Sequence, residues 1–191
     1  MNSFKDKKLI LGSKSPRRSQ LLSEAGFTFE VRIQDIDEDF DPHTPVLEVA
    51  ENLAKRKADA LKNTISEDEI LITADSVVIL DGIIYNKPED YTAGLAMLSK
   101  LANQTHTVAT GVCIMNPQKK VSFTVSTNVT FDTMSKAEID YYLTNHKPFD
   151  KAGGYGIQDW IGLCKVASIT GSYSNVMGLP VREVYLALMA F

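Results

Sequence analysis

The stretch that most constrains the fold runs from Leu9 to Leu22, where an apolar strand pattern passes through a turn into a helix. Residues 9–11 form a short apolar run, which is typical of a buried strand. Gly12 ends this run and allows the backbone to approach a ligand closely. The Ser15-Pro16 pair that follows is a favoured helix start. The segment therefore predicts a strand–turn–helix unit of an α/β protein.

Two arginines follow in the first turn of this helix. Arg17 and Arg18 lie beside the free N–H groups of the helix N-terminus, where the helix dipole favours a bound anion. Ser13 offers a hydroxyl to the same ligand, and arginine binds phosphate through paired hydrogen bonds. We therefore expect an anion site at this turn. The alternative is a capped surface helix whose arginines are solvated.

Helical and strand patterns alternate along the rest of the chain. They predict helices at 15–25, from 44, at 89–103, from 135 and from 180, and strands at 27–33, 70–79, 83–85, 105–115, 121–131 and 163–169. Asp81-Gly82 predicts a type I′ hairpin turn, and Ser135 with Glu138 forms a capping box. The chain has no internal repeat or linker, and its 191 residues predict one domain of mixed α/β class, 1–191.

A single carboxylate interrupts an apolar strand pattern between Ile70 and Ile79. Asp75 has apolar residues on both sides, and burying an unpaired carboxylate is costly. We therefore expect it to meet hydrogen-bond donors, a metal or a reacting water at a strand end, where ligands of α/β proteins commonly bind. The alternative is a purely structural cap.

Residues 35–41 form a dense acidic loop with five carboxylates, which repel one another unless a cation lies among them. Glu38 is the first candidate to hold a divalent metal there, and the alternative is a solvated charged loop.

The sequence leaves the roles of two lysines open. Lys57 is either a solvent-facing helix residue or part of the site, and Lys87 is either a loop charge or a second cation of the anion site.

Residues 149–158 form a glycine-rich loop that ends in a glutamine. Its three glycines permit tight turns close to a ligand, but it lacks the phosphate loop pattern GxxxxGK[ST]. Gln158 carries a donor and an acceptor, which is the chemistry needed to read the edge of a base. The alternative is an ordinary glycine-rich turn.

Charge and composition exclude several classes of function. The net charge of −4 argues against binding a nucleic-acid backbone, and no apolar run is long enough to span a membrane. The N-terminus lacks the apolar core of a signal peptide, and Cys113 and Cys164 are predicted to be buried and reduced, so we expect a cytoplasmic protein. The chain also lacks a serine–histidine or cysteine–histidine nucleophile pattern. The remaining groups suit metal-assisted hydrolysis of a phosphoanhydride by water.

Five separate motifs, in order and over nearly the whole chain, resemble the Maf family. They are Ser13-Lys-Ser-Pro-Arg-Arg18 with Leu21-Leu22, Ala74-Asp-Ser-Val-Val78, Asn86-Lys-Pro88, Lys151-Ala-Gly-Gly-Tyr-Gly-Ile-Gln158 and Ser174-Asn-Val-Met-Gly-Leu-Pro180. The resemblance implies a Maf/ITPase-like fold, with a central, strongly twisted mixed sheet flanked by helices and two lobes with a cleft between them.

The resemblance also implies an activity. Maf proteins are nucleoside triphosphate pyrophosphatases that give a nucleoside monophosphate and pyrophosphate, with a divalent metal such as Mg²⁺ or Mn²⁺. The branch that acts on dTTP and UTP has a second arginine after the proline, Ala-Asp-Thr and Gly-Ile-Gln. Arg18 and Gln158 match that branch, whereas Ser76 stands in place of the threonine, which keeps the hydroxyl and loses a methyl group. Modified pyrimidine nucleotides are further candidate substrates, and the branch that acts on 7-methyl-GTP fits poorly.

The resemblance assigns roles to nine residues. Asp75 takes the proton of the attacking water or holds the metal with Glu38. The triphosphate is held by Ser13, Arg17, Lys57 and Lys87, and the base is faced by Arg18, Ser76 and Gln158. Maf proteins are often dimers, so the resemblance allows a homodimer.

Two other functions stay open at this point. One is a phosphatase that releases inorganic phosphate, which the residues alone permit. The other is a non-enzymatic, nucleotide-binding regulator of septum formation, for which the acidic surface could meet a basic partner. Asp75 in an apolar setting argues against the second, because a binding module has little reason to keep it.

Overall fold

The computed structural model describes residues 7–191. The strands are β1 (Lys8–Leu11), β2 (Phe29–Val31), β3 (Glu69–Leu80), β4 (Ile83–Tyr85), β5 (Thr105–Met115), β6 (Lys120–Phe131) and β7 (Val166–Thr170). The helices are α1 (Pro16–Glu24), α2 (Val46–Leu61), α3 (Tyr91–Leu101), α4 (Lys136–His146), α5 (Trp160–Cys164), α6 (Tyr173–Met177) and α7 (Val181–Leu188). Short 3₁₀ turns lie at Lys62–Thr64 and Ala152–Gly154.

The described strands form one seven-stranded sheet in the order β2-β1-β3-β5-β6-β7, with β4 also paired to β3. The sheet is mixed, because β1 runs parallel to β2 and β3, whereas β4 is antiparallel to β3 and β7 is antiparallel to β6. The mixed α/β class predicted from the sequence is therefore confirmed. Between residues 7 and 191, no helix is both long enough and apolar enough to cross a membrane. The signal-peptide prediction concerns residues 1–6, which lie outside the described residues.

The chain forms two compact units. The first comprises Met1–Asp75, described from residue 7, with Thr110–Val125 and Gly178–Phe191. The second comprises Ser76–Ala109 and Ser126–Met177. Strands β3, β5 and β6 each begin in one unit and end in the other.

The first unit is built on the parallel pair of β1 and β3, whose last matched residues are Leu11 and Ile72. Apolar side chains from β1, α2, β3 and β5 fill its core, namely Ile10, Ala54, Ala58, Leu61, Leu71, Cys113 and Met115. Helix α2 lies so close to β5 that a Cβ at Gly111 would stand 2.1 Å from the backbone nitrogen of Glu51. Only glycine permits this approach, so Gly111 fixes where α2 lies on the sheet.

A bidentate ion pair links two segments of the first unit. The guanidinium of Arg32 donates to both carboxylate oxygens of Glu69 at 3.1 and 2.8 Å and to the carbonyl of Thr64. The hydrogen bond from Arg32 is the largest influence on Glu69, whose pKa falls to about 2. The pair ties the segment after β2 to the start of β3.

In the second unit, two local predictions are confirmed. Asp81 and Gly82 both have positive φ, at 53° and 73°, as a type I′ turn requires, and they join β3 to the antiparallel β4. Ser135 and Glu138 form the capping box at the start of α4, where each side chain bonds to the backbone of the other residue.

Two predictions about residues 163–180 are wrong in detail. The strand predicted at 163–169 is present as β7, but it begins only at Val166, and residues 163–164 are the end of helix α5. Ile161 is buried whereas Leu163 is 82% exposed, so these residues do not share a face as alternate residues of a strand do. Cys113 is buried as expected, but Cys164 at the end of α5 is exposed. The segment between β7 and α7 contains the short helix α6.

A buried histidine lies in the core of the second unit. His106 on β5 is 1% exposed, and its ring packs against those of Phe131 and Tyr155. Its Nε2 lies 2.7 Å from the hydroxyl oxygen of Tyr155. Burial lowers the pKa of His106 to about 4, so the ring is neutral in the folded protein at physiological pH.

This burial predicts a loss of stability in mild acid. Below pH 6.5 the unfolded chain binds a proton at His106 that the folded chain rejects down to about pH 4. The stability that the folded protein gains by keeping His106 neutral is fully present above pH 6.5. By pH 5 about 2 kcal/mol of the free energy of unfolding is lost. Urea unfolding at pH 7 and pH 5 measures this loss of stability. Glu69 and Glu138, whose pKa values are held at about 2, add their losses only below their unfolded pKa values near 4.5.

The His106→Phe variant separates this effect from other titrations. It is less stable at pH 7, because the buried Tyr155 hydroxyl loses its partner, but its stability falls less between pH 7 and pH 5. His43→Gln, at an exposed histidine, is the control and keeps the wild-type dependence. An unchanged dependence in His106→Phe would contradict the prediction.

Candidate active site

The turn between β1 and α1 is organised by the hydroxyl of Ser13. This oxygen accepts a hydrogen bond from the backbone N–H of Ser15 at 3.2 Å and another from Nη1 of Arg18 at 3.1 Å. Ser15 occupies the predicted N-cap position, but its own side chain makes no capping bond. The turn is therefore shaped by the serine two residues earlier.

Arg18 is buried at this turn and lies in the electrostatic field of two carboxylates. Its Nε donates to the carbonyl of Gly178 at 2.7 Å, which fixes the direction of the side chain. Burial lowers the pKa of Arg18, and the charge of Arg17 lowers it further, whereas Asp75 and Glu38 raise it. The structure thus brings the predicted anion-binding turn close to the predicted catalytic carboxylate.

Lys57 joins the two carboxylates of the site. Its Nζ lies 2.7 Å from Oε1 of Glu38 and 2.5 Å from Oδ1 of Asp75. The side chains of Lys57 and Asp75 are 16% and 15% exposed. Of the two alternatives that the sequence left open for Lys57, the solvent-facing one is not observed, because its ammonium group contacts the two candidate carboxylates.

Basic side chains of the first unit neutralise the acidic loop at 35–41. Arg56 donates to the backbone carbonyls of Asp37 and Asp39, the residues on either side of Glu38. Lys14 pairs with Asp35, and Lys57 pairs with Glu38. The carboxylates of Asp37 and Asp41 accept backbone N–H groups within the loop. The repulsion expected from the sequence is therefore offset by basic side chains, and Arg56 fixes the backbone that presents Glu38.

The prediction that Asp75 lies at a strand end is wrong, because the residue lies in the middle of β3. The matched pairs of β1 and β3 end at Leu11 and Ile72, three residues before Asp75. Its carboxylate thus lies beyond the carboxyl end of the parallel pair, although its own strand continues. The strand continues because residues 78–80 pair with β4, which the sequence placed correctly as a hairpin partner.

The donor set fits a divalent metal of the magnesium type. Glu38 and Asp75 each bring a carboxylate oxygen to the same cationic group, and hard oxygen ligands are what Mg²⁺ and Mn²⁺ prefer. Among residues 7–191 there is no group of three or more histidine, cysteine, aspartate or glutamate side chains at metal-binding distance. Two carboxylates suit Mg²⁺, because this ion is usually bound by one or two carboxylates together with substrate phosphates.

The nine predicted site residues divide between the two units. The first unit holds Ser13, Arg17, Arg18, Glu38, Lys57 and Asp75, and the second holds Ser76, Lys87 and Gln158. Ser76 follows Asp75 directly in β3, and Lys87 is an exposed residue after β4. Gln158 is half-buried, and its Oε1 is buried without a hydrogen-bond partner in the described part of the chain.

The glycine-rich loop before Gln158 needs its glycines. Gly153 and Gly154 have φ values of 72° and 68°, which favour glycine. A Cβ at Gly153 would stand 2.8 Å from Cγ2 of Val78. The backbone N–H of Gly153 donates to the carbonyl of Asn86. The loop is therefore packed tightly against the hairpin of β3 and β4.

Sequence reasoning missed two residues that act on the backbone of the site. They are Arg56 on α2 and Tyr142 on α4, and neither was among the candidate site residues. Both act through backbone groups or a carboxylate distant in sequence, as the hydrogen bonds of Arg56 and of the Tyr142 hydroxyl show. Neither role follows a local sequence pattern.

Comparison with known proteins gives the family. The model for Maf-like proteins matches residues 8–191. A protein of Flavobacterium psychrophilum named dTTP/UTP pyrophosphatase is 46% identical, over 97% of this chain and 95% of its own length. Proteins with the same name from Parabacteroides distasonis and Phocaeicola vulgatus are each 47% identical, over 100% and 95% of this chain and 100% and 94% of their own lengths.

Among solved structures, the Ham1 protein of Staphylococcus aureus is similar at 14% identity and a TM-score of 0.47, over 65% of this chain and 72% of that one. That likeness is too weak to support a conclusion. The family model and the relatives, in contrast, cover nearly the whole chain. The chain therefore belongs to the Maf family.

Proposed function

We propose that this chain is a nucleoside triphosphate pyrophosphatase that hydrolyses dTTP and UTP to the nucleoside monophosphate and pyrophosphate. The observation that carries the proposal is the meeting of Asp75 and Glu38 on the ammonium of Lys57, within the electrostatic reach of the buried Arg18. Relatives named for this activity, with 46–47% identity over nearly the whole chain, support it. Modified pyrimidine nucleotides are further candidate substrates.

Asp75 is the general base of the proposed reaction. It accepts a proton from a water molecule whose oxygen forms a bond to the α-phosphorus of the substrate. The bond from this phosphorus to the oxygen bridging the α- and β-phosphates breaks, and pyrophosphate leaves with that oxygen. Lys57 holds Asp75 in place through the 2.5 Å contact between its Nζ and Oδ1.

Basic and hydroxyl groups stabilise the charge that develops on the leaving group. Ser13, Arg17, Lys57 and Lys87 hold the triphosphate, and their donors neutralise the negative charge gained by pyrophosphate as the bond breaks. Arg18, Ser76 and Gln158 face the base and determine which nucleotide is accepted. The partnerless Oε1 of Gln158 supports this role, because a buried acceptor gains a hydrogen bond when a matching donor binds.

Glu38 and Asp75 are the residues that would hold a divalent metal, Mg²⁺ or Mn²⁺. When bound, such an ion polarises the phosphoryl oxygens and lowers the pKa of a coordinated water. Following the resemblance to the Maf family, we also propose a cytoplasmic enzyme that works as a homodimer.

A hydrolysis panel tests the function. The substrates are dTTP, UTP, CTP, 5-methyl-UTP, 7-methyl-GTP, dITP and ATP, each with Mg²⁺ or Mn²⁺, and both phosphate and pyrophosphate are assayed. We expect pyrophosphate from the thymine and uracil nucleotides, and loss of turnover when EDTA removes the metal. Direct release of phosphate would indicate a phosphatase instead. Nucleotide binding without any turnover would indicate a regulator.

Asp75→Asn tests the general base. The amide still accepts a hydrogen bond from Lys57, so the protein folds, but it takes no proton from water. We expect kcat for dTTP to fall by about 10²- to 10⁴-fold, the usual contribution of a general base. Asp81→Asn is the matched control, because asparagine tolerates the positive φ at this exposed turn. A folded Asp75→Asn protein with wild-type turnover would overturn the assignment.

Gln158→Ala tests whether Gln158 recognises the nucleotide base. Its loss removes a donor and an acceptor that match pyrimidine edges, so kcat/KM for dTTP relative to CTP falls by about 10- to 100-fold. Gln118→Ala, at an exposed turn before β6, is the control and keeps the wild-type ratio. If Gln158→Ala lowers turnover of all nucleotides equally, Gln158 does not read the base.

A further inference from the structure

The turn that carries Gln158 is held at both ends by a single hydroxyl group. The backbone N–H of Gly156 donates to the Tyr142 hydroxyl oxygen at 2.9 Å, and that hydroxyl donates to Oδ2 of Asp159 at 2.7 Å. The turn itself is closed by a hydrogen bond from the N–H of Asp159 to the carbonyl of Gly156 at 3.0 Å. The Tyr142 hydroxyl thus bridges the two residues that flank Ile157 and Gln158.

Tyr142 is a rigid support for this turn. Its side chain is fully buried in α4, and its ring stacks on that of His146 at a centroid distance of 5.1 Å. Burial and the hydrogen bond to Asp159 both raise the pKa of Tyr142, so the hydroxyl keeps its proton and acts as donor and acceptor together. Asp159 in turn lies 3.7 Å from Nζ of Lys151, at the start of the same loop.

The turn has little room to relax. A Cβ at Gly156 would stand 2.6 Å from Oδ2 of Asp159, and a Cβ at Gly162 would stand 1.8 Å from the carbonyl oxygen of Ile157. Helix α5 therefore lies directly against the backbone that precedes Gln158. Ile157 is buried at 4% exposure, so the residue before Gln158 is anchored as well.

The direction of Gln158 depends on this backbone. An amide presents its donor and its acceptor on different sides, so a small rotation of the turn changes which group meets a ligand. The Oε1 of Gln158 is buried and meets no partner in the described residues, so no hydrogen bond of its own fixes the oxygen. The position from which the side chain presents its amide therefore depends on the turn.

We propose that Tyr142 is a positioning residue that sets the choice of base by holding the Gly156–Asp159 turn, and that it acts through Gln158. This inference rests on the proposed pyrophosphatase function. Tyr142 takes no part in the hydrolytic step, because its hydroxyl is bonded to Gly156 and Asp159. Its removal therefore changes selectivity between nucleotides and spares the chemistry that depends on Asp75.

The test is Tyr142→Phe, which removes one oxygen atom. We expect the ratio of kcat/KM for dTTP to that for CTP to fall by at least fivefold, with most of the change in the KM for dTTP. Tyr141→Phe is the matched control, because it removes the same atom from the adjacent, 49% exposed tyrosine of α4. This control is expected to keep the wild-type ratio.

A double variant shows whether Tyr142 acts through Gln158. In the Gln158→Ala background the Tyr142→Phe change should alter the ratio by less than twofold, because the group that it positions is absent. A purely structural role would lower activity by the same factor in both backgrounds. Equal effects of Tyr142→Phe with and without Gln158 would overturn the inference.

Asp159 provides a second route if Tyr142→Phe fails to fold. Asp159→Asn keeps an oxygen that accepts from the Tyr142 hydroxyl and should retain the ratio, whereas Asp159→Ala removes the acceptor and should lower it. If both Asp159 variants keep the wild-type ratio, the inference is wrong.

Wild-type protein that hydrolyses no nucleotide would overturn the proposed function itself. A selective wild type with a relaxed Gln158→Ala variant and an unaltered Tyr142→Phe variant would overturn only the role of Tyr142.

Discussion

The geometry of the site depends on one lysine that meets two carboxylates. Glu38 and Asp75 come from a loop and a strand, and they would repel each other without the ammonium of Lys57 between them. Such a contact adds little net stability, because desolvation of the charges opposes their attraction. Its contribution is positional, since it brings the acidic loop and β3 to the same point.

The register of α2 against β3 explains why Lys57 reaches Asp75. Thr73 donates from its hydroxyl to the carbonyl of Ala54 at 2.7 Å, which fixes the helix against the strand. Asp75 lies two residues after Thr73, on the same face of β3, and Lys57 lies three residues after Ala54, on the same side of α2. Gly111 lets α2 approach β5 closely enough for this contact. The packing of one helix therefore determines the centre of the site.

Local sequence patterns predicted the parts of the fold that local physics determines. The turn at Asp81 and the capping box at Ser135 involve only neighbouring residues, and both were placed correctly. Strand β3 was also predicted, at 70–79, whereas the expectation that Asp75 lies at a strand end was wrong, because β3 continues beyond its last residue paired with β1 and pairs with β4. Likewise the start of β7 was placed three residues too early, at 163, since a short apolar run fits either a helix or a strand until its packing is known. Most of the candidate site residues came from the motifs shared with the Maf family, and the structure adds contacts that no motif contains.

Different interactions hold the loop that carries Glu38 and the loop that carries Gln158. The acidic loop is fixed by basic side chains: Arg56 donates to the carbonyls beside Glu38, and Lys14 and Lys57 form ion pairs with Asp35 and Glu38. Dissolved ions screen exposed charges, and the metal and triphosphate proposed above would compete for the same groups. The loop of Gln158 is fixed instead by the buried hydroxyl of Tyr142, which salt screens far less. The loop with the proposed metal ligand Glu38 is thus held by charged side chains, whereas the loop whose amide is proposed to recognise the base is held by hydrogen bonds within the core.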